Sequence, residues 1–206
     1  GFSKMDSVTP QMIDSIKAFV GYQKVRLEGK KIIKEDPRIL LNCSSIAKGY
    51  ACDVIARLLE KEGVKNYMVE IGGEVTMKGI NQQGDCWRVG INKPEIGTSG
   101  VTNDVEEIVQ LCQKGGVAIN PATGYPAGQN ILSATIVAED CMTADAYATT
   151  FMVLGVEKAK LLAQSIPQIE YFIIYADNNG QQKVTYSKGM LEYLPNRKTL
   201  AILENP

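Results

Sequence analysis

The sequence predicts an α+β fold, a mixed and mostly antiparallel sheet with helices packed on it. Three observations carry that prediction. Apolar residues recur at helical spacing in a few segments and at strand spacing in many. The two kinds do not alternate strictly, which argues against a doubly wound sheet. Gly- and Asn-containing turns short enough for hairpins separate consecutive strand candidates. With 206 residues, 45% hydrophobic and 22% charged, the composition is that of a chain with a core, read as a single domain over 1–206.

The elements follow in order. Thr9-Pro10 is a capping residue followed by proline at the first helical position, and Met12, Ile13, Ile16, Phe19 and Val20 continue at helical spacing. Val25–Leu27 and Lys31–Ile33 flank Glu28-Gly29-Lys30 as a hairpin, and a third strand is expected at Ile39–Leu41 after Pro37. A helix should run from Ala47 to Glu62 and stop at Gly63, with Ile46, Val54, Ile55, Leu58 and Leu59 as its apolar stripe. Tyr67–Ile71, Val75–Met77 and Trp87–Ile91 form a meander through Gly72-Gly73 and the turn from Asn81 to Gly84. Glu95 to Asn103 reads as loop, and Val105–Cys112 fits either strand or helix. Leu132–Ala138 is a strand, Thr143–Leu154 and Val156–Gln164 are helices, and Tyr171–Tyr175 turns through Asn178-Asn179-Gly180 into Lys183–Tyr186.

Composition excludes several function classes. The net charge is -1 and no basic run occurs, so there is no footprint for nucleic acid. No stretch reaches the roughly 18 apolar residues of a membrane helix. Five cysteines, at 43, 52, 86, 112 and 141, are odd in number and contain no C-x-x-C pair. They read as small buried hydrophobes, not as a disulfide framework or a zinc site. The absence of histidine removes the usual general base, and any metal must be held by oxygen.

Four segments carry chemistry. Ser44 to Asp53 sets hydroxyls, Lys48 and Gly49 where a helix begins, which suits a phosphate group and equally suits a serine-capped helix with a solvated lysine. In Thr143 to Thr150, Asp145 and Thr149 are four apart, presenting two hard oxygen donors on one helical face. That pair suits Mg²⁺. It also suits an acid in a first helical turn beside a packing threonine. Asn120 to Pro126 is a turn-rich loop able to approach a ligand or simply to join two strands, and Gly72-Gly73-Glu74 lets backbone pass close to a neighbour. Neither a G-x-G-x-x-G nor a P-loop signature is present.

In this order, Ile46-Ala47-Lys48-Gly49-Tyr50-Ala51-Cys52-Asp53, Ile71-Gly72-Gly73-Glu74, Trp87 to Ile91 with Lys93-Pro94, Asn120-Pro121-Ala122-Thr123-Gly124-Tyr125-Pro126, and Ala144 to Thr149 with Met152 to Gly155 resemble the ApbE family of FAD:protein FMN transferases. The resemblance implies an ApbE-like fold, FAD as substrate, and Mg²⁺ held by the Asp145 carboxylate, the Thr149 hydroxyl and the Ala47 carbonyl. Asp145 and Thr149 are thereby the catalytic residues, with FAD contacts from Ser44, Lys48, Tyr50 and Ile119. In the family, FMN passes from FAD to a threonine of an acceptor protein and AMP leaves. Water in place of the threonine would give an FAD pyrophosphatase releasing FMN and AMP, and the same pocket without chemistry an FAD-binding protein. The resemblance also implies a place on the periplasmic side of the inner membrane, with a lipid anchor. The family pattern has a region before the position of Gly1, and a further stretch with a histidine between the positions of Ala118 and Ile119.

Overall fold

The computed structural model describes residues 9–94, 101–121 and 130–195. The chain divides into two compact units, Gly1–Asn42 and Cys43–Pro206. In the first, helix α1 (Pro10–Lys17) starts as expected: Thr9 Oγ1 accepts the Met12 N–H at 3.3 Å and Pro10 fills the first helical position. Strands β1 (Val25–Glu28) and β2 (Lys31–Lys34) form the expected antiparallel hairpin. The third strand, at Ile39–Leu41, does not form. Lys34 Nζ donates to the Pro37 and Ile39 carbonyls at 2.9 and 2.8 Å, and Asp36 accepts the Arg38 N–H at 2.8 Å. The backbone is held in a turn by side chains, so its polar groups are not offered to a ladder.

The second unit runs through α2 (Ala47–Lys61), β3 (Tyr67–Ile71), β4 (Glu74–Lys78), β5 (Trp87–Pro94), β6 (Val101–Leu111) and β7 (Gly115–Pro121). It continues through β8 (Ile131–Ala138), α3 (Cys141–Leu154), α4 (Val156–Gln164), β9 (Ile169–Ala176) and β10 (Gln182–Tyr186). Six strands pair antiparallel in the order β10-β9-β8-β7-β4-β3, and β5 pairs with β6 as a separate hairpin. The segment that fitted strand or helix, Val105–Cys112, is strand up to Leu111, and Val101 to Asn103 of the expected loop belong to β6. Residues 95–100 of that loop, and 122–129 of the turn-rich segment, lie outside the described residues. Strand β7 passes through Ala118 and Ile119 without interruption, opposite Ile136 and Thr135.

Alternation along the strands separates two cores. Tyr171 and Ile173 of β9 pack with Ala144, Ala148 and Phe151 of α3, whereas Phe172 and Ile174 pack with Val109 of β6 and Met190. Helix α2 has the expected bounds, with Gly63 following at φ +80°. Its orientation overturns the expected stripe. It buries Gly49, Cys52, Asp53 and Ala56 and leaves Val54, Ile55 and Leu58 exposed. Small residues on the buried face let the helix axis come close to its neighbours, and larger side chains there would hold it off.

The cysteine reading also needs correction. Cys86 and Cys112 extend the Trp87–Leu111 pair of the hairpin by one position, and a disulfide joins them across a Cα separation of 4.6 Å. They are far apart in sequence, so only strand pairing brings them opposite. Cys52 and Cys141 are buried as expected, whereas Cys43 is exposed.

Candidate functional site

Helix α2 has Ile46 at its N-cap, a side chain with no acceptor, so a serine cap does not start this helix. Its acceptor comes from another helix: the Gly49 N–H donates to Asp145 Oδ2 of α3 at 3.0 Å. The return contact uses Asp53 of α2. Its Oδ1 accepts the Cys141 N–H at 3.0 Å and the Thr76 hydroxyl at 2.9 Å, and its Oδ2 accepts the Met142 N–H at 2.9 Å. Asp140 completes the α3 cap by accepting the Thr143 N–H at 2.7 Å. Each helix therefore receives at its amino end a carboxylate from the other, where orphan N–H groups and the positive end of the helix dipole favour negative charge.

This clamp requires contact at the backbone. A Cβ on Gly49 would lie 2.3 Å from the Cys141 carbonyl oxygen, and one on Gly116 would lie 2.3 Å from the Cys141 nitrogen. Only glycine permits either approach.

Lys48, one residue before Gly49, reaches the β3–β4 turn. Its Nζ lies 2.6 Å from Glu74 Oε2 and donates to the Gly72 carbonyl at 3.1 Å. Burial pushes the Glu74 carboxyl above the usual carboxylate range; the Lys48 ammonium pulls it back down, and the charge of Asp145 adds to the rise. The turn itself needs glycine, with φ +59° at Gly72 and +97° at Gly73. On its other side the Ile119 N–H donates to the Gly73 carbonyl at 3.1 Å. A cleft of about 410 Å³ opens there, lined by Gly72, Gly73, Arg88, Asn92, Ile119 and Ser133 among others.

The expected site residues are thus placed unequally. The Gly49–Asp145 bond joins the first turn of α2, which carries Ala47 and Lys48, to α3, where Thr149 lies one turn beyond Asp145. Ile119 joins through Gly73 and the turn that holds Lys48. Ser44 is exposed in the turn before α2, and Tyr50 is exposed on α2 with the Arg57 guanidinium 5.5 Å from its ring centre. The contacts that Asp53, Glu74 and Gly49 make were not expected from the sequence. All three lie inside the segments singled out there, but their partners are far away in the chain.

Among the described residues, no three of His, Cys, Asp and Glu converge on one point. The buried Asp145 carboxylate, with the Thr149 hydroxyl one turn along the same helix, is a donor chemistry that fits a hard cation that keeps waters and takes substrate oxygens. Burial pushes the Cys52 and Cys141 thiols up, which disfavours the nucleophilic thiolate.

A family model described as the ApbE family matches residues 1–173. The chain is 33% identical over 186 residues to an FAD:protein FMN transferase of Vibrio cholerae, covering 84% of this chain and 55% of that protein. It is 35% identical over 192 residues to the one of Haemophilus influenzae, covering 82% and 55%. The solved structure of a flavin transferase ApbE from Vibrio cholerae superposes with a TM-score of 0.80 at 30% identity, covering 93% of this chain and 65% of that one. The chain spans about half the length of the curated relatives it matches. By the family model, these identities and the shared antiparallel α+β architecture, the chain belongs to the ApbE family.

Proposed function

We propose that this protein transfers FMN from FAD to a threonine hydroxyl of an acceptor protein, with Mg²⁺ at the Asp145 carboxylate, the Thr149 hydroxyl and the Ala47 carbonyl. The observation that carries the proposal is the bond from the Gly49 N–H to Asp145 Oδ2. It ties the amino end of α2, which carries Lys48, to the carboxylate of α3, and this supports a reading in which a cation at Asp145 and a phosphate at the helix end would share one site. The names of the relatives support the reaction class.

The chemistry is phosphoryl transfer. The acceptor oxygen bonds to the phosphorus of the FMN half, the bridging P–O bond breaks, AMP leaves with the electron pair, and the hydroxyl proton passes to solvent. Mg²⁺, when bound, supplies charge neutralisation on the pyrophosphate and acidifies the attacking hydroxyl. Lys48 would meet a pyrophosphate oxygen, and Ile119 and the Gly72–Gly73 turn would border the bound dinucleotide. These 206 residues hold no histidine, and positioning with charge stabilisation is what the reaction chiefly needs.

We extend the proposal to the periplasmic side of the inner membrane. The Cys86–Cys112 disulfide supports an oxidising compartment. A lipid anchor rests on the family resemblance alone. No helix among the described residues is long and apolar enough to cross a membrane.

The test is incubation with FAD, Mg²⁺ and a threonine-bearing acceptor peptide, followed by mass analysis. The peptide should gain the mass of FMN, and AMP should appear in equal amount. An unlabelled peptide beside released FMN and AMP would overturn the transferase reading in favour of a pyrophosphatase.

A further inference from the structure

Glu74 has a cost that its fold position does not explain. Its side chain is 3% exposed, and its ionic partner, the Lys48 side chain, is 47% exposed. A half-solvated ammonium repays only part of the desolvation of a buried carboxylate, and an uncharged side chain of the same shape would serve stability as well or better. The pair therefore calls for a reason beyond folding.

Lys48 supplies one. Its ammonium is ion-paired with Glu74 Oε2 at 2.6 Å and donates to the Gly72 carbonyl at 3.1 Å. Both acceptors belong to the β3–β4 turn, which the Gly73–Ile119 bond ties to β7. A flexible lysine is thus fixed on a turn at the end of a helix whose dipole favours anions. Fixing it before substrate arrives moves the ordering cost out of the binding step.

We propose that Glu74 is a positioning residue that holds the Lys48 ammonium ready for a phosphate oxygen of FAD. This rests on the transferase reading above. Glu74 touches no substrate in this role and acts only through Lys48.

The experiment compares the protein with its Glu74→Gln, Lys48→Met and double variants, by FAD fluorescence titration with Mg²⁺ and by the kinetics of FMN transfer. Glu74→Gln should raise the Kd and KM for FAD about tenfold, leave kcat at saturating FAD within about twofold, and leave thermal stability equal or higher. In the Lys48→Met background the same change should add nothing to Kd, because the group it acts through is gone. Unchanged FAD affinity in Glu74→Gln overturns the proposal, as does an equal loss in both backgrounds. A marked fall in thermal stability of Glu74→Gln also overturns it, by assigning Glu74 to support of the fold. If the parent protein itself neither binds FAD nor transfers FMN, the reading of function has failed instead.

Discussion

Asp53 and Asp145 are 6% and 3% exposed, and each ends on backbone N–H groups of the opposite helix. They differ in how fully they are used. Asp53 spends both oxygens on Thr76, Cys141 and Met142, which makes it a structural cap. Asp53→Asn would turn an amide NH₂ toward donors it cannot accept from, so a loss of about 1–3 kcal/mol in urea denaturation is expected. Asp145→Asn should keep more of the fold and lose FMN transfer by roughly 10²–10³-fold, since it removes the carboxylate proposed to hold the cation. Gly49→Ala tests the clamp between them. A methyl 2.3 Å from the Cys141 oxygen must part the two helices, and a stability loss of about 1–3 kcal/mol should accompany weaker binding of FAD with Mg²⁺. At this scale the sequence revealed the segments and the Asp145/Thr149 spacing. It did not reveal the role of Gly49, because the Asp145 carboxylate it donates to lies 96 positions away and its backbone neighbour is Cys141.

Helix α2 shows what local pattern does and does not determine. Its stop was readable from chain chemistry, with Gly63 adopting the left-handed conformation that follows its end, whereas it starts at the expected Ala47 without a serine cap. Its buried face was not readable, because periodicity finds the largest apolar side chains and here the contact face is built from the smallest. Ile39–Leu41 failed for the complementary reason: β-forming residues were present, but Lys34 and Asp36 claimed the local backbone. The far end of α2 is tied down by Glu60, whose carboxylate accepts from Lys78 of β4 and Lys114 at 2.8 Å each and from the Tyr67 hydroxyl at 3.2 Å. Hydrogen bonds from Lys114 and then Lys78 hold the Glu60 carboxyl down at about 2 against an ordinary 4.5. A depressed folded-state pKa contributes stability that is full above the unfolded value and disappears as pH falls through the folded one. The network should therefore weaken from about pH 4.5 downward and be gone near pH 2. Screening by solvent limits it to about 1 kcal/mol. Glu60→Gln should lower the melting temperature by about 2–4 °C at neutral pH. Melting curves of variant and parent should converge in acid, and a difference that persists at the lowest pH would contradict this assignment.

The whole molecule adds a constraint that no single element contains. Fold class was legible because the strand pairs are antiparallel and the β1–β2, β3–β4 and β9–β10 turns announce their own hairpins. The expected meander from Val75–Met77 into Trp87–Ile91 does not form: β4 pairs with β3 and β7, and β5 pairs with β6. The β5–β6 register was less legible, since Val105–Cys112 fits two periodicities, and without that register the cysteines at 86 and 112 have no reason to pair. Once Trp87 faces Leu111, the next position outward sets Cys86 against Cys112, and the bridge closes a separation of 26 residues. A loop of that size restrains the unfolded chain by about 3 kcal/mol in the chain-entropy model. The bridge also joins the end of the hairpin beside Gly79, whose N–H donates to the Cys112 carbonyl at 2.9 Å, so it fastens the hairpin where β4 ends. Thiol titration of the protein unfolded without reductant should count three thiols, from Cys43, Cys52 and Cys141, and five after reduction. Cys86→Ser with Cys112→Ser should lower stability by up to about 3 kcal/mol while leaving a cooperative transition, because the paired strands and Val109 and Leu111 in the core remain. Five thiols in the unreduced protein would remove both this contribution and the support it lends to an oxidising compartment.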